Sequence, residues 1–134
     1  MLEPISLVRS VAFAVLFAGI EYRYVNRREV GWKDGIDPMG EKPAFWVISP
    51  YQAYLLLPAF VVVALAPSLT AWVANTFLVA LVEDVTYFAW RGRWVKPGDW
   101  TTLTFGSLNL GGLVIPVWWP LVLVISVACY LMPL

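Results

Sequence analysis

Histidine is absent from this chain, cysteine occurs once, as Cys129, and charged side chains make up only 13% of the residues. Each shortage excludes some chemistry. Without histidine there is no imidazole-based zinc, copper or haem site and no Ser-His or Cys-His nucleophile pair, and a single cysteine cannot close an intramolecular disulfide. No metal and no cofactor is expected, and a catalyst would have to be built from carboxylates, Tyr, Lys or Arg. An ordinary soluble domain is excluded by the scarcity of charge, since such domains carry about 25% charged residues. Nine basic and nine acidic side chains cancel, so no net field points to nucleic acid or another polyanion. Walker, GxGxxG and metal-ligand spacings are missing as well.

The chain instead has long uncharged runs. No Asp, Glu, Lys or Arg occurs from Phe45 to Val82 or from Trp100 to Leu134, and each run exceeds the ~20 residues that cross a bilayer once. The 134 residues therefore read as a single all-α integral membrane domain with four transmembrane helices, at about 4–21, 50–66, 69–90 and 115–132. The first of these opens with Glu3, lacks a small-x-small cleavage site and is read as a retained helix rather than a signal peptide. In the second, "SPYQ" has the pattern of a capping box with Pro at the first helical position. Pro58 bends that helix and Pro67 ends it. The 35 residues after "KPGD" would measure about 52 Å as one helix against a core of ~30 Å. The segment Thr101 to Gly112 is accordingly expected to lie along the interface or to be re-entrant, with no β-sheet anywhere.

Basic residues set the orientation. Arg23, Arg27, Arg28, Lys33 and Lys42 fall in the loop at about 22–48, and Arg91, Arg93 and Lys96 in the loop at about 91–100. Both loops are then cytoplasmic and both termini outside, in the cell membrane. Trp90, Trp94, Trp100, Trp118 and Trp119 gather at the cytoplasmic interface as an aromatic belt, and Arg9 is expected to snorkel to the outer surface.

The stretch "LVEDVTYFAWRGRW" raises the functional question. Helical periodicity places Asn75, Thr76, Glu83 and Tyr87 on one semi-polar stripe of the third span, while Asp84 points about 100° away. Glu83 and Asp84 therefore do not converge, and a second acid for Glu83 has to come from another helix. Glu21 is the first candidate and Asp99 a more distant one. One reading pairs the two acids with Arg91, Arg93, Arg23 or Arg27. A second makes the stripe a path for a proton or small cation, and a third makes Glu83 and Glu21 a catalytic pair acting on a lipid-soluble, isoprenoid-like substrate. In the first span Ser10, Ala14 and Ala18 form a small-residue stripe that admits a neighbouring helix, which suggests self-association or other membrane subunits as partners besides the lipid bilayer. The leading expectation is a packing or accessory subunit of a membrane complex, with channel or transporter and membrane enzyme as alternatives. The six residues "EDVTYF" resemble a short motif of the small membrane subunits of carotenoid cyclases, in which acidic residues protonate a polyene. Val82 stands where a proline usually precedes the acids, and the resemblance ends with those six residues.

Overall fold

The computed structural model describes residues 2–25, 52–103 and 105–132. The chain is mostly helical. Helix α1 (Leu2–Ile20) continues into a π-helical turn, Glu21–Val25. A second π-helical turn, Gln52–Leu56, leads into α2 (Leu57–Val63). Helix α3 (Leu69–Trp90) is followed by a four-residue helical turn, α4 (Trp100–Leu103), then strands β1 (Ser107–Leu110) and β2 (Leu113–Pro116), and finally α5 (Trp118–Leu131). Among the described residues, α1 with its π-helical turn and α3 are the helices long and apolar enough to cross a membrane. At 14 residues α5 is about 21 Å long.

Pro58 explains the widened turn before α2. Its ring cannot follow a regular α-turn because it meets the carbonyl four residues back, and the π-helical turn over Gln52–Leu56 is where the chain opens to admit it. The "SPYQ" cap lies outside the described residues. Helix α2 ends at Val63, four residues before Pro67. Ser68 then caps α3, accepting a hydrogen bond from the Ala71 backbone N–H at 3.2 Å.

The segment after α4 corrects the all-α expectation. Residues 107–116 form an antiparallel hairpin, with Ser107 opposite Pro116 and Leu110 opposite Leu113. Gly111 and Gly112 make its two-residue loop with φ of 63° and 98°. Two successive positive φ values are what a tight hairpin with right-handed twist demands, and glycine meets them without strain. The Asn109 side-chain oxygen accepts from the Gly112 N–H across the hairpin at 2.9 Å. Ile115 and Pro116, expected in the last helix, belong to β2.

Helix α3 is the centre, with α1 on one side and α5 on the other. Asn75 near its start bonds Ser6 near the start of α1, so these two helices run parallel. Trp119 bonds Asp84 while Tyr130 bonds Asn75, so α5 runs antiparallel to α3. Leu56 packs at the level of Val79 and Ala64 bonds Asn75, so α2 descends as α5 does. Ser10, Ala14 and Ala18 are 0% exposed against these neighbours. The stripe is thus occupied by the chain's own helices rather than left for a partner.

The apolar core also encloses polar groups, while large apolar side chains face outward. Buried positions include Ser6, Ser10, Glu21, Asn75, Glu83, Asp84 and Ser126, while Val8, Leu16, Val124 and Leu131 are 67%, 66%, 65% and 76% exposed. Outward apolar faces of this extent suit contact with lipid or with another protein. Ala14→Leu and Ala18→Leu each force a larger side chain into a closed seam and should cost about 1–3 kcal/mol. Leu16→Ala on the outward face should change little, and thermal unfolding in detergent separates the two classes.

Candidate functional site

At the end of the bundle that carries Arg23, Arg91, Arg93 and Lys96, α1 and α3 bring together two carboxyl groups. Glu21 stands at the first position of the π-helical turn that extends α1, and Glu83 lies on the α3 face that meets α1. Both are buried, and their carboxyl groups come close enough to interact directly. Neither carboxylate carries a donor, so a hydrogen bond between them would need a proton on one of the two. Tyr22 and Tyr87 close the site from the loop side as an edge-on pair with ring centroids 6.0 Å apart.

Asp84 points to the other side of α3 and is 1% exposed. Its Oδ2 accepts from the Thr101 hydroxyl at 2.5 Å and from the Trp119 indole N–H at 2.7 Å. Trp118 in turn donates to the Thr101 hydroxyl oxygen at 2.9 Å. The sequence reading missed these partners because each lies 17 or more residues away. Both are nonetheless the residue types that can reach a buried acid from an apolar segment, an indole N–H and a threonine hydroxyl. The Oδ1 atom of Asp84 and the Oε1 atom of Glu83 are buried with no partner among the described residues.

The pairing of these acids with arginine is not found among the described residues, and Arg27 lies outside them. Arg93 instead holds Asp99 through two bonds of 2.7 and 2.6 Å and lies over the Phe88 ring at 5.6 Å. Its hydrogen bonds to the Asp99 carboxylate hold the guanidinium above its ordinary pKa. Asp99 also accepts from the Lys96 backbone N–H at 2.8 Å. Asp99 is therefore a brace for the loop that carries Thr101 and is absent from the Glu pair.

Asn75 belongs to a different place. Its amide donates to the Ser6 hydroxyl at 3.1 Å and the Ala64 carbonyl at 3.2 Å, and its oxygen accepts from the Tyr130 hydroxyl. This one side chain ties α1, α5 and the end of α2 to α3. Arg9 completes the same end. Its exposed guanidinium donates to the carbonyls of Val63, at 3.0 Å, and Leu65, where α2 has run out of helical donors. Thr76 returns its hydroxyl to the Trp72 carbonyl at 2.9 Å.

Between Asn75 and Glu83 the stripe is closed. Val79 is 1% exposed and packs in one cluster with Ala14, Leu56, Phe60 and Ala64. The indoles are engaged too: Trp72 donates to Val61, Trp90 to Val15 and Trp94 to Val114, so they tie one element to the next. An apolar cleft of about 400 Å³ lies between α3 and α5, walled by Leu81, Val82, Val85, Ile115, Trp119 and Leu123. Trp119 belongs to both places, lining the cleft with its ring while its N–H holds Asp84.

No protein-family model, curated protein or solved structure matches this chain. The geometry alone carries the functional argument. Asn75→Leu removes three hydrogen bonds from a closed junction and should cost about 2–4 kcal/mol, since it takes one partner each from Ser6, Ala64 and Tyr130. Thr76→Val should cost well under half of that, because only an intrahelical bond is lost. Guided by chemical denaturation in detergent, the comparison shows whether the junction or the stripe holds the helices.

Proposed function

We propose that the protein is a multi-pass membrane protein whose working part is the buried carboxyl site at its basic end, and that this site exchanges protons with a lipid-soluble substrate. The observation that carries the reading is the contact between Glu21 and Glu83 in a closed interior with no cation beside them among the described residues. A subunit that only packs has no use for two acids held together, whereas acid–base chemistry needs a proton kept in place within reach of a second carboxyl. The cleft beside Trp119 lies across α3 from the Glu pair, on the Asp84 side, and its hydrocarbon wall supports a lipid-soluble, isoprenoid-like substrate there. Proton or cation conduction is less well supported, because the Val79 layer interrupts the polar stripe.

A second reading keeps the chain as an accessory subunit of a homo- or hetero-oligomeric complex. The apolar row of Leu121, Val124, Val127 and Leu131 on α5 favours it, as a face that another membrane helix could cover. In either reading the membrane is crossed four times, by α1, α2 with its preceding turn, α3, and α5 with the hairpin. The basic loops are cytoplasmic and the termini outside.

Glu83→Gln keeps size and hydrogen bonding and removes the acid. In liposomes loaded with an isoprenoid lipid mixture, the wild type should convert a component of it. The variant should do so about 10²-fold more slowly with its thermal stability retained, since general acid–base groups contribute about 10²–10⁴-fold. Proton flux in the wild type that disappears in the variant would establish conduction instead, and no turnover and no flux in either would leave the accessory reading. For the topology, Pro97→Cys in a Cys129→Ala background should react with an impermeant thiol reagent from the cytoplasmic side only. Labelling from outside would reverse the orientation.

A further inference from the structure

The hairpin has two unlike faces and one open edge. Directly opposed residues share a face, so Ser107 and Asn109 lie with Pro116 and Val114, and Leu108 and Leu110 with Ile115 and Leu113. Val114 and Pro116 are buried against the bundle, whereas Leu108, Leu110 and Leu113 on the other face are 46%, 61% and 46% exposed. A two-residue loop makes Leu110 and Leu113 a hydrogen-bonded pair, and bonded and non-bonded pairs alternate from there. The backbone groups of Ser107, Asn109, Val114 and Pro116 therefore point away from the partner strand. Pro116, which has no N–H, suits such a position, and the Val114 carbonyl is taken by the Trp94 indole at 2.8 Å. On β1 the outward N–H and C=O groups of Ser107 and Asn109 meet no described residue.

These features exclude both simple surroundings. In water the leucines would expose a contiguous hydrocarbon patch, and in the bilayer core an open strand edge would leave backbone groups unsatisfied. The boundary between headgroups and acyl chains meets both needs. The loop that Trp94 joins to the hairpin also carries Arg91 and Lys96, and neither is ion-paired among the described residues. We propose that the hairpin is an interfacial anchor, with its leucine face against the upper acyl chains of the leaflet beside that loop, its β1 edge toward the headgroups, and Arg91 and Lys96 favouring anionic lipid. A second copy paired along the β1 edge would answer the backbone groups but would set two ends of like charge side by side. Anionic lipid answers the leucines with hydrocarbon, the edge with hydrated headgroups and the cations with phosphate. The inference rests on the membrane reading above and not on the carboxyl chemistry.

The test uses the full chain with Cys129→Ala and one new cysteine carrying an environment-sensitive fluorophore, in phosphatidylcholine vesicles with or without phosphatidylglycerol. Lipids brominated near the glycerol end or near the methyl end of the acyl chain report its depth. At Leu110→Cys the label should emit as in an apolar medium and lose more fluorescence to the shallow bromines than to the deep ones. Phosphatidylglycerol should increase that shallow quenching, and Lys96→Glu should remove the increase. Ala12→Cys, on an exposed position midway along α1, should be quenched more by the deep bromines. If Ala12→Cys is not quenched at all, the membrane reading itself fails. If it is quenched but the label at Leu110→Cys emits as in water, is quenched mainly from the deep position, or escapes both bromines because a second copy or residues 26–51 cover it, the anchor is overturned. Equal shallow quenching in the two lipid mixtures would overturn the part given to Arg91 and Lys96.

Discussion

Every polar group carried into apolar surroundings has to find its partner inside the bundle, and in this chain helix α3 carries most of them. Asn75, Glu83 and Asp84 on α3 are all buried, and each is answered by a different element. In hydrocarbon an unanswered group costs several kcal/mol, so these pairings decide where the other elements sit. Asn75 fixes one end by drawing in Ser6, Ala64 and Tyr130. At the other end the acids draw in Glu21, Thr101 and Trp119. Between them the seam is filled by small and aliphatic side chains, with Ala14 and Ala18 letting α1 approach closely.

The two ends differ in kind. At the Asn75 end every donor and acceptor of the amide is used, which is what a structural junction requires. At the Glu83 end two buried carboxyl oxygens have no partner among the described residues, and two carboxyls come together with no cation beside them among those residues. A buried carboxyl pair without a cation is a poor device for holding helices together, because two leucines of similar volume would pack there without any desolvation cost. That contrast within one helix separates a junction whose polar groups are all answered from a carboxyl site whose groups are not.

Much of this arrangement was legible in the sequence. The 3.6-residue period sets Asn75 and Glu83 on the α3 face that meets α1, and Ser10, Ala14 and Ala18 on the α1 face that meets α3. Glu21 follows Ala18 by three residues, on the same face, which is why it arrives beside Glu83. The hairpin was not read, although "LNLGGLVIP" has the turn signal of two glycines between apolar residues. Within a long uncharged run, an apolar segment of that length has no periodicity that separates strand from helix. Asp84 was read as a neighbour of Arg91 because a helical wheel shows only the helix itself. Its real partners arrive through the fold, from α4 and the start of α5. Nothing local reveals, either, that the carbonyl end of α2 stops within reach of Arg9.

The central claim is that Glu21 and Glu83 act as one unit. A double-mutant cycle with Glu21→Gln, Glu83→Gln and the combined variant, read as unfolding free energy in detergent near neutral pH, measures that unit directly. Residues in contact should give effects that fail to add, with a coupling of about 0.5–3 kcal/mol of either sign. Additive effects, within the error of the measurement, would mean that the two carboxyls do not meet, and the site would fall with them.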